Sequence, residues 1–374
     1  MITHDQLLPS FYHLQRRGRI GPIAVCASRF ATVSALARAE TLLRAFPGQS
    51  FRAWPDRDGP PQPDLYHAAI AALPPRQIVV VAVPDHLHYE VVMAALAHDQ
   101  HVLCVKPLAL EYRHAVEIAR EARARALLVA IEYHKRFDDR SLMARRQYRA
   151  GAFGEFRLGA ARLFEKWHYR HSNFQNWMTA EHSDAFTYIG CHYVDLVHFI
   201  TGLLPVDVSV YGVRDRFPNG NEGFLWTDAR VIWSNGACLN VQNGLGFPDD
   251  APGTNTQSLV LYCGGDDKGG LLEHSDQYRG VKHSYMGGKP IYAEPSPDYF
   301  QYVDLGGPGL TPVGYGYRSI EHIVSSIIRA ESHPELLEEI DSAGIIATPQ
   351  NSSYNEKVIE AARRQFKAQL ALNP

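Results

Sequence analysis

The segment QIVVVAVP, residues 77–84, constrains this chain more than any other. A continuous β-branched run closed by a proline is predicted as a strand buried on both faces of a parallel sheet. Helical spacing flanks it in LYHAAIAALPP (65–75) and HYEVVMAALAHDQ (88–100). HVLCVKP (101–107), HAVEIAREARARA (114–126) and LLVAIEYH (127–134) continue the alternation. Upstream, GPIAVCAS (21–28) reads as a strand and VSALARAETLLRAF (33–46) as the helix after it, while the Pro- and Gly-rich 51–63 reads mostly as loop. Strands and helices alternating across short connections predict a doubly wound parallel sheet.

The pattern changes near residue 135. Longer alternating strands follow at 156–166, 206–213, 228–243 and 258–265, with Ser234-Asn235-Gly236 as a hairpin turn inside the third. This second region is predicted as an α+β domain with a large, mostly antiparallel sheet. One long helix, SDAFTYIGCHYVDLVHFITG (183–202), interrupts it, and 354–370 reads as a helix packing back on the first domain. The expected organisation is 1–134, the doubly wound domain; 135–350, the α+β domain; and 351–374, the returning helix.

A chain of 374 residues can bury two cores, and its formal charge of −3, with dispersed Lys and Arg, gives no general attraction to nucleic acid or acidic membranes. Five scattered cysteines without a C-x-x-C argue for reduced thiols and a cytoplasmic setting. Neither a signal-peptide pattern nor a membrane-spanning apolar run is visible.

Three places carry candidate chemistry. At VAVPDHLHYE (81–90) a strand ends on Pro84-Asp85, and ligands bind beyond the carboxyl ends of strands in open α/β sheets. A plain turn with Asp85 as helix cap is the other reading. In CVKPL (104–108), Lys106 stands at the next strand end, placed for proton transfer at a hydroxyl or carbonyl oxygen, or else a snorkelling surface lysine. On the helix at 183–202, Asp184, Tyr188, His192 and Asp195 share one face, and Asp195 is placed to set the His192 tautomer. The pairs His168/His171 and Asp195/His198 fit no specific metal signature, so no metal is expected.

In order along the chain, AVPDHLH (82–88), CVKP (104–107), YHKRFDD (133–139), GAFGEFR (151–157) and GCHYVDLVHFITG (190–202) resemble the Gfo/Idh/MocA family of NAD(P)-dependent oxidoreductases. The resemblance implies a Rossmann-type first domain and hydride transfer between a nicotinamide and a sugar, cyclitol or related polyol. Lys106 and His192 would relay the proton. Pro84, Asp85 and His88 would border the cofactor, and His134 stands in place of the usual Asn near the nicotinamide. The second sheet would form the interface of a homo-oligomer, a dimer or tetramer. Aromatic and polar residues at 167–177 are candidates for the sugar pocket. An NAD-dependent glycosidase and a non-catalytic sugar- or nucleotide-binding sensor remain as alternatives.

The chain departs from the family pattern at several positions. Val105 replaces the motif's Glu, and Tyr188 stands where many relatives place an Asp, which makes it an alternative acid. At the end of the strand at 21–28, Ser28-Arg29 replaces an NAD-binding Asp, so the cofactor expectation is NAD or NADP with a lean to NADP. Adenine stacking is the other use of Arg29.

The opening MITHDQLLPSFYHLQRRG places Leu7, Leu8, Phe11 and Leu14 on one helical face and closes with Gly18. Ile2 and Thr3 resemble the last positions of the family's glycine-rich turn, with the preceding strand and both leading glycines absent. The sheet is therefore expected to be incomplete at its N-terminal strand, with Met1 an internal methionine.

Overall fold

The computed structural model describes residues 2–372 apart from 252, 254, 266–267, 276–282, 287–289 and 294–295, so Met1 lies outside the described residues. A π-helical turn, Thr3–Leu7, runs directly into α1 (Leu8–Arg16). Gly18 follows at φ +67°, a left-handed conformation open to glycine at little cost. Leu7, Phe11 and Leu14 pack with Leu103, Val105, Leu128 and Ala130, while Leu8 and Tyr12 pack with Leu42 and Phe46.

The parallel sheet is in two pieces. Among the described residues β1 (Ala24–Cys26) pairs only with β2 (Arg52–Trp54), while β3 (Ile78–Val81), β4 (His101–Val105) and β5 (Val129–Glu132) form a separate parallel sheet with β4 central. This corrects the reading of 77–84 as buried on both faces. β4 is buried at all five positions, whereas β3 is an edge strand, half-buried at three of its four. α1 spans both pieces, contributing to the core of each.

The helix predicted over 33–46 is two, α2 (Phe30–Ala37) and α3 (Glu40–Ala45), because Ala39 between them is extended. The crossovers α4 (Leu65–Ala71), α5 (His88–Ala97) and α6 (Tyr112–Ala124) follow the expected alternation.

Beyond β5, α7 (Asp139–Arg149) starts where the Asp138 carboxylate accepts the Arg140 amide at 2.9 Å. The large sheet has the order β11-β10-β6-β9-β8-β7, built from β6 (Glu155–Lys166), β7 (Pro205–Arg216), β8 (Glu222–Trp233), β9 (Cys238–Phe247), β10 (Thr256–Gly265) and β11 (Lys268–Ser275). Among the described residues only the β6–β9 pairing of this sheet is parallel, and Ser234-Asn235-Gly236 makes the β8–β9 turn with Gly236 at φ +82°. One face packs on α8 (Cys191–Thr201) and the turn before it through residues such as Phe186, Val197, Trp233 and Leu239. Leu158, Val206, Tyr211, Val213, Tyr262 and Leu271 are exposed on these strands.

Two placements differ from the expected division. α9 (Tyr315–Ser332) and α10 (Leu336–Ala343) lie inside 135–350 but pack on the parallel sheet, with Ile320, Ile323 and Ile327 against Leu103 and Leu128. After α11 (Pro349–Ser352), α12 (Tyr354–Leu372) packs mainly on the large sheet. Phe366 stacks on Phe224 at 4.8 Å, and Gln365 and Gln369 hydrogen-bond the Val210 amide and carbonyl, each at 2.9 Å. Only its first turns reach the parallel sheet's surroundings, where Glu356 accepts from the Leu108 amide and Glu360 from that of Tyr112.

Candidate active site

Lys106 follows directly on the last residue of β4 and is 7% exposed. A buried ammonium needs partners, and Lys106 finds two on one residue: Nζ donates to the Tyr188 carbonyl and sits 3.3 Å from the centre of its ring. A desolvated cation–π contact of this kind contributes about 2 kcal/mol. The snorkelling alternative is thereby excluded.

Tyr188 lies in a π-helical turn, Phe186–Gly190, that leads into α8, so the single helix expected over 183–202 begins later and with a wider turn. A β-carbon at Gly190 would stand 2.6 Å from Asn243 Oδ1, so glycine lets this turn approach β9. Burial holds the Tyr188 phenol well above its usual range, so the hydroxyl stays protonated and the ring face is what meets Lys106. Phe174 and Trp177 pack edge-on against that ring at 4.8 and 5.7 Å. Part of the 167–177 segment is thus brought beside Lys106.

His192, on the first turn of α8, is 6% exposed, and its Nδ1 has no hydrogen-bond partner among the described residues. Burial, then the charges of Lys106, His134 and Lys135, hold its imidazole well below the usual range, so it is neutral. The His134 ring lies 4.9 Å away, and its Nδ1 is 2.9 Å from Glu132 Oε2.

The tautomer role expected for Asp195 is not what the structure shows. Arg136 Nη2 and Nε donate to its two oxygens at 2.6 and 2.7 Å, and Tyr354, Ser352 and Asn355 complete its shell. Both charges are almost wholly buried, so each needs the other. Asp184 likewise turns inward, accepting from the Thr187 amide and hydroxyl at 2.7 and 2.6 Å.

Asp85 and His88 are also engaged by the protein. Asp85 is 3% exposed and accepts from Ser183 Oγ at 2.6 Å, while burial pushes its carboxyl up. His88 is fully buried, with ring nitrogens 2.6 Å from the Pro107 carbonyl and 2.8 Å from that of Val83. These residues fasten the two strand-end turns rather than present a face to a ligand. Pro84 opens the short turn Asp85–Leu87 between them.

Glu165, Glu132 and Gln6 escaped the sequence reading. Glu165 keeps the inward phase of Ala161 and Leu163 on β6, and its Oε2 accepts from Asn255 at 3.3 Å. Burial pushes its carboxyl up against the opposing pull of Lys106, Lys135 and His134. A carboxylate in the inward phase of an alternating strand was the available signal. Glu132 carried another, a charge at the carboxyl end of a buried strand.

A dinucleotide fits the carboxyl edge in part. Ser28 and Arg29 are exposed after β1, and Arg29 is the extended N-cap residue of α2. Ile2 and Thr3 lie in the first helical turn, and Gln6 just after them hydrogen-bonds Glu132 at the end of β5. Unpaired amides of such a turn suit an anion. Among the described residues, no group of three or more His, Cys, Asp or Glu is arranged to hold a metal ion.

A parallel sheet whose strand ends carry Lys106 and His134, closed by a helix bearing His192, defines a Rossmann-type nucleotide-binding protein with an appended sheet domain. Residues 19–133 match the description of an oxidoreductase family with an NAD-binding Rossmann fold, and 141–263 match the GFO/IDH/MocA C-terminal domain. The chain belongs to the Gfo/Idh/MocA family. D-glucoside 3-dehydrogenase of Escherichia coli is 28% identical over 335 residues, 77% of this chain and 86% of that protein. An uncharacterised oxidoreductase of Schizosaccharomyces pombe is 35% identical over 95 residues, 24% of this chain. The chain spans 26%, 22% and 36% of the first three curated relatives it matches. The same fold occurs in scyllo-inositol dehydrogenase from Lactobacillus casei with NAD(H) and scyllo-inositol (TM-score 0.66, 14% identity, 97% of this chain and 94% of that one). It occurs also in GenD2 from gentamicin A biosynthesis in complex with NAD (TM-score 0.67, 17% identity, 97% and 91%).

Proposed function

We propose that this protein is a nicotinamide-dependent dehydrogenase that oxidises a secondary hydroxyl of a sugar, cyclitol or related polyol, or reduces the matching ketone. The observation that carries the reading is the pairing of a buried Lys106 ammonium with a neutral His192 beyond the carboxyl end of β4. A bound nicotinamide supplies the hydride chemistry. Lys106 donates a hydrogen bond to the substrate oxygen and stabilises negative charge developing there. His192, neutral and short of a partner at Nδ1, accepts the hydroxyl proton.

Ser28 and Arg29 hold the adenosine end, with a lean to NADP; the first turn at Ile2 and Thr3 meets the phosphates; and Pro84, His134 and Lys106 border the nicotinamide. The apolar residues exposed on the large sheet suit a homo-oligomer interface. The absence of disulfides among five free cysteines suits the cytoplasm.

The test follows nicotinamide absorbance with methyl β-glucoside and myo-inositol as probes. Wild-type protein reduces NAD+ or NADP+ with at least one of them, and Lys106→Met lowers turnover about a hundredfold or more while thermal stabilisation by the cofactor persists. Turnover unchanged by Lys106→Met overturns the role given to Lys106, and absence of hydride transfer to both probes overturns the reading.

A further inference from the structure

Glu132 ends β5 with its side chain 1% exposed, yet it meets three donors. Ser319 Oγ and Gln6 Nε2 donate to Oε1 at 2.7 and 3.0 Å, and His134 Nδ1 lies 2.9 Å from Oε2. Gln6 is itself fixed, accepting from Tyr299 Oη at 2.6 Å and donating to the Gly316 carbonyl at 3.1 Å. A carboxylate with its lone pairs so engaged only accepts. His134 Nδ1 must then carry the hydrogen, and in the neutral ring Nε2 keeps its lone pair. Nε2 has no hydrogen-bond partner among the described residues, and the ring is 13% exposed. His134 is therefore oriented as a base by a carboxylate that the backbone, α9 and the first helix hold in place.

His192 needs such a neighbour. A proton arriving on it stands beside Lys106 in a buried site, which disfavours the imidazolium. His134 lies 4.9 Å away between centroids, a spacing that one bridging water can span, and Glu132 supplies the counter-charge.

We propose that His134, oriented by Glu132, is the second proton carrier of the reaction and takes the proton from His192. This rests on the dehydrogenase reading. As the alcohol is oxidised, its C–H electron pair leaves with the hydride for the nicotinamide and its O–H bond breaks to form the carbonyl. The proton goes to one ring nitrogen of His192, and the other ring nitrogen of His192 gives one up to His134 Nε2. His134 is the catalytic residue of the pair and Glu132 its positioning residue.

Two measurements test this. Nitrogen NMR of labelled wild-type protein reads the His134 tautomer without any turnover. The expected form is Nδ1–H, and a dominant Nε2–H form overturns the proposal. The second measurement uses NAD+ with whichever of methyl β-glucoside and myo-inositol the wild type oxidises. His134→Gly is expected to lose about a hundredfold in kcat with little change in the cofactor KM. Added imidazole restores the rate in proportion to its free base, which a merely structural role would not allow. Glu132→Gln gives a smaller loss and Glu132→Asp a partial recovery. A folded His134→Gly or His134→Gln protein with wild-type kcat overturns the relay, as does a lost rate that imidazole leaves untouched. No hydride transfer by the wild type overturns the dehydrogenase reading, and the relay with it.

Discussion

Asp195 gives both carboxylate oxygens to Arg136, at 2.6 and 2.7 Å, although His192 stands one turn before it on the same helix. The pair joins α8 to the turn after β5, and Tyr354 bridges it to α12 by donating to Asp195 at 3.0 Å while accepting from Arg136 at 3.2 Å. Three elements meet on one buried charge pair. His192 shares α8 with Asp195, so the pair anchors the helix that carries it without touching its ring.

Removing one member of such a pair leaves the other charge buried and unmatched. Asp195→Ala is expected to lower unfolding free energy by about 3–5 kcal/mol. At a temperature where the variant is folded, the pH dependence of turnover keeps the wild-type form, because His192 has lost no partner. Urea denaturation with a pH–rate profile on the same samples checks both. A displaced profile with unchanged stability would restore Asp195 to the relay.

Glu356 predicts an unusual pH dependence. It is fully buried behind the Lys106 turn, with Oε1 accepting from the Leu108 amide at 3.2 Å and Oε2 unpartnered among the described residues. Burial pushes its carboxyl up to about 8 from an ordinary 4.5. Between those values the folded chain holds a proton that the unfolded chain has released. This contribution to stability is therefore complete below about pH 4.5 and is lost as pH rises toward 8, by up to about 1.4 kcal/mol per unit. Glu356→Gln should flatten that decline and leave the variant more stable than wild type at pH 8–9, as read by thermal unfolding across pH. An unchanged slope would show that Glu356 is ionised in the fold.

Tyr188 offers Lys106 a ring face and a carbonyl, and burial keeps its hydroxyl protonated. Tyr188→Phe keeps both features and is expected to hold kcat within a few-fold. Tyr188→Leu removes the cation–π contact, worth about 2 kcal/mol, and should lower kcat or stability accordingly. Steady-state rates and melting temperatures of the two variants separate these cases. A Tyr188→Phe protein as impaired as Tyr188→Leu would make the hydroxyl the working acid.

Much of the fold was legible because local pattern decided it. β-Branched runs separated by helical spacing marked β3, β4 and β5, and Leu7, Leu8, Phe11 and Leu14 marked α1. Lys106 was legible because a charge at a strand end is conspicuous. The partners of site residues were not, since they come from distant chain. Arg136 is 59 residues from Asp195, and Ser319 and Gln6 are 187 and 126 residues from Glu132. A helical wheel places Asp195 near His192, but a buried carboxylate goes to the cation that can match its charge, and a wheel does not show that cation. The gap between β1 and β3 was hidden for a related reason. Composition shows a strand's apolar run and says nothing of which neighbour is beside it.

Arg29 decides the cofactor prediction. It is exposed at the end of β1, next to Ser28, and no carboxylate occupies either position. A 2′-phosphate placed there meets a guanidinium able to pair with it, and no carboxylate at either position to repel it. Arg29→Ala should therefore weaken NADPH binding by roughly tenfold, about 1.4 kcal/mol, and leave NADH binding nearly unchanged. Thermal-shift titrations of both nucleotides on both proteins measure it. Equal weakening of the two would assign Arg29 to the adenine face, where the phosphate makes no difference. Stabilisation of the wild type by NADH alone, indifferent to the substitution, would rule out the lean to NADP.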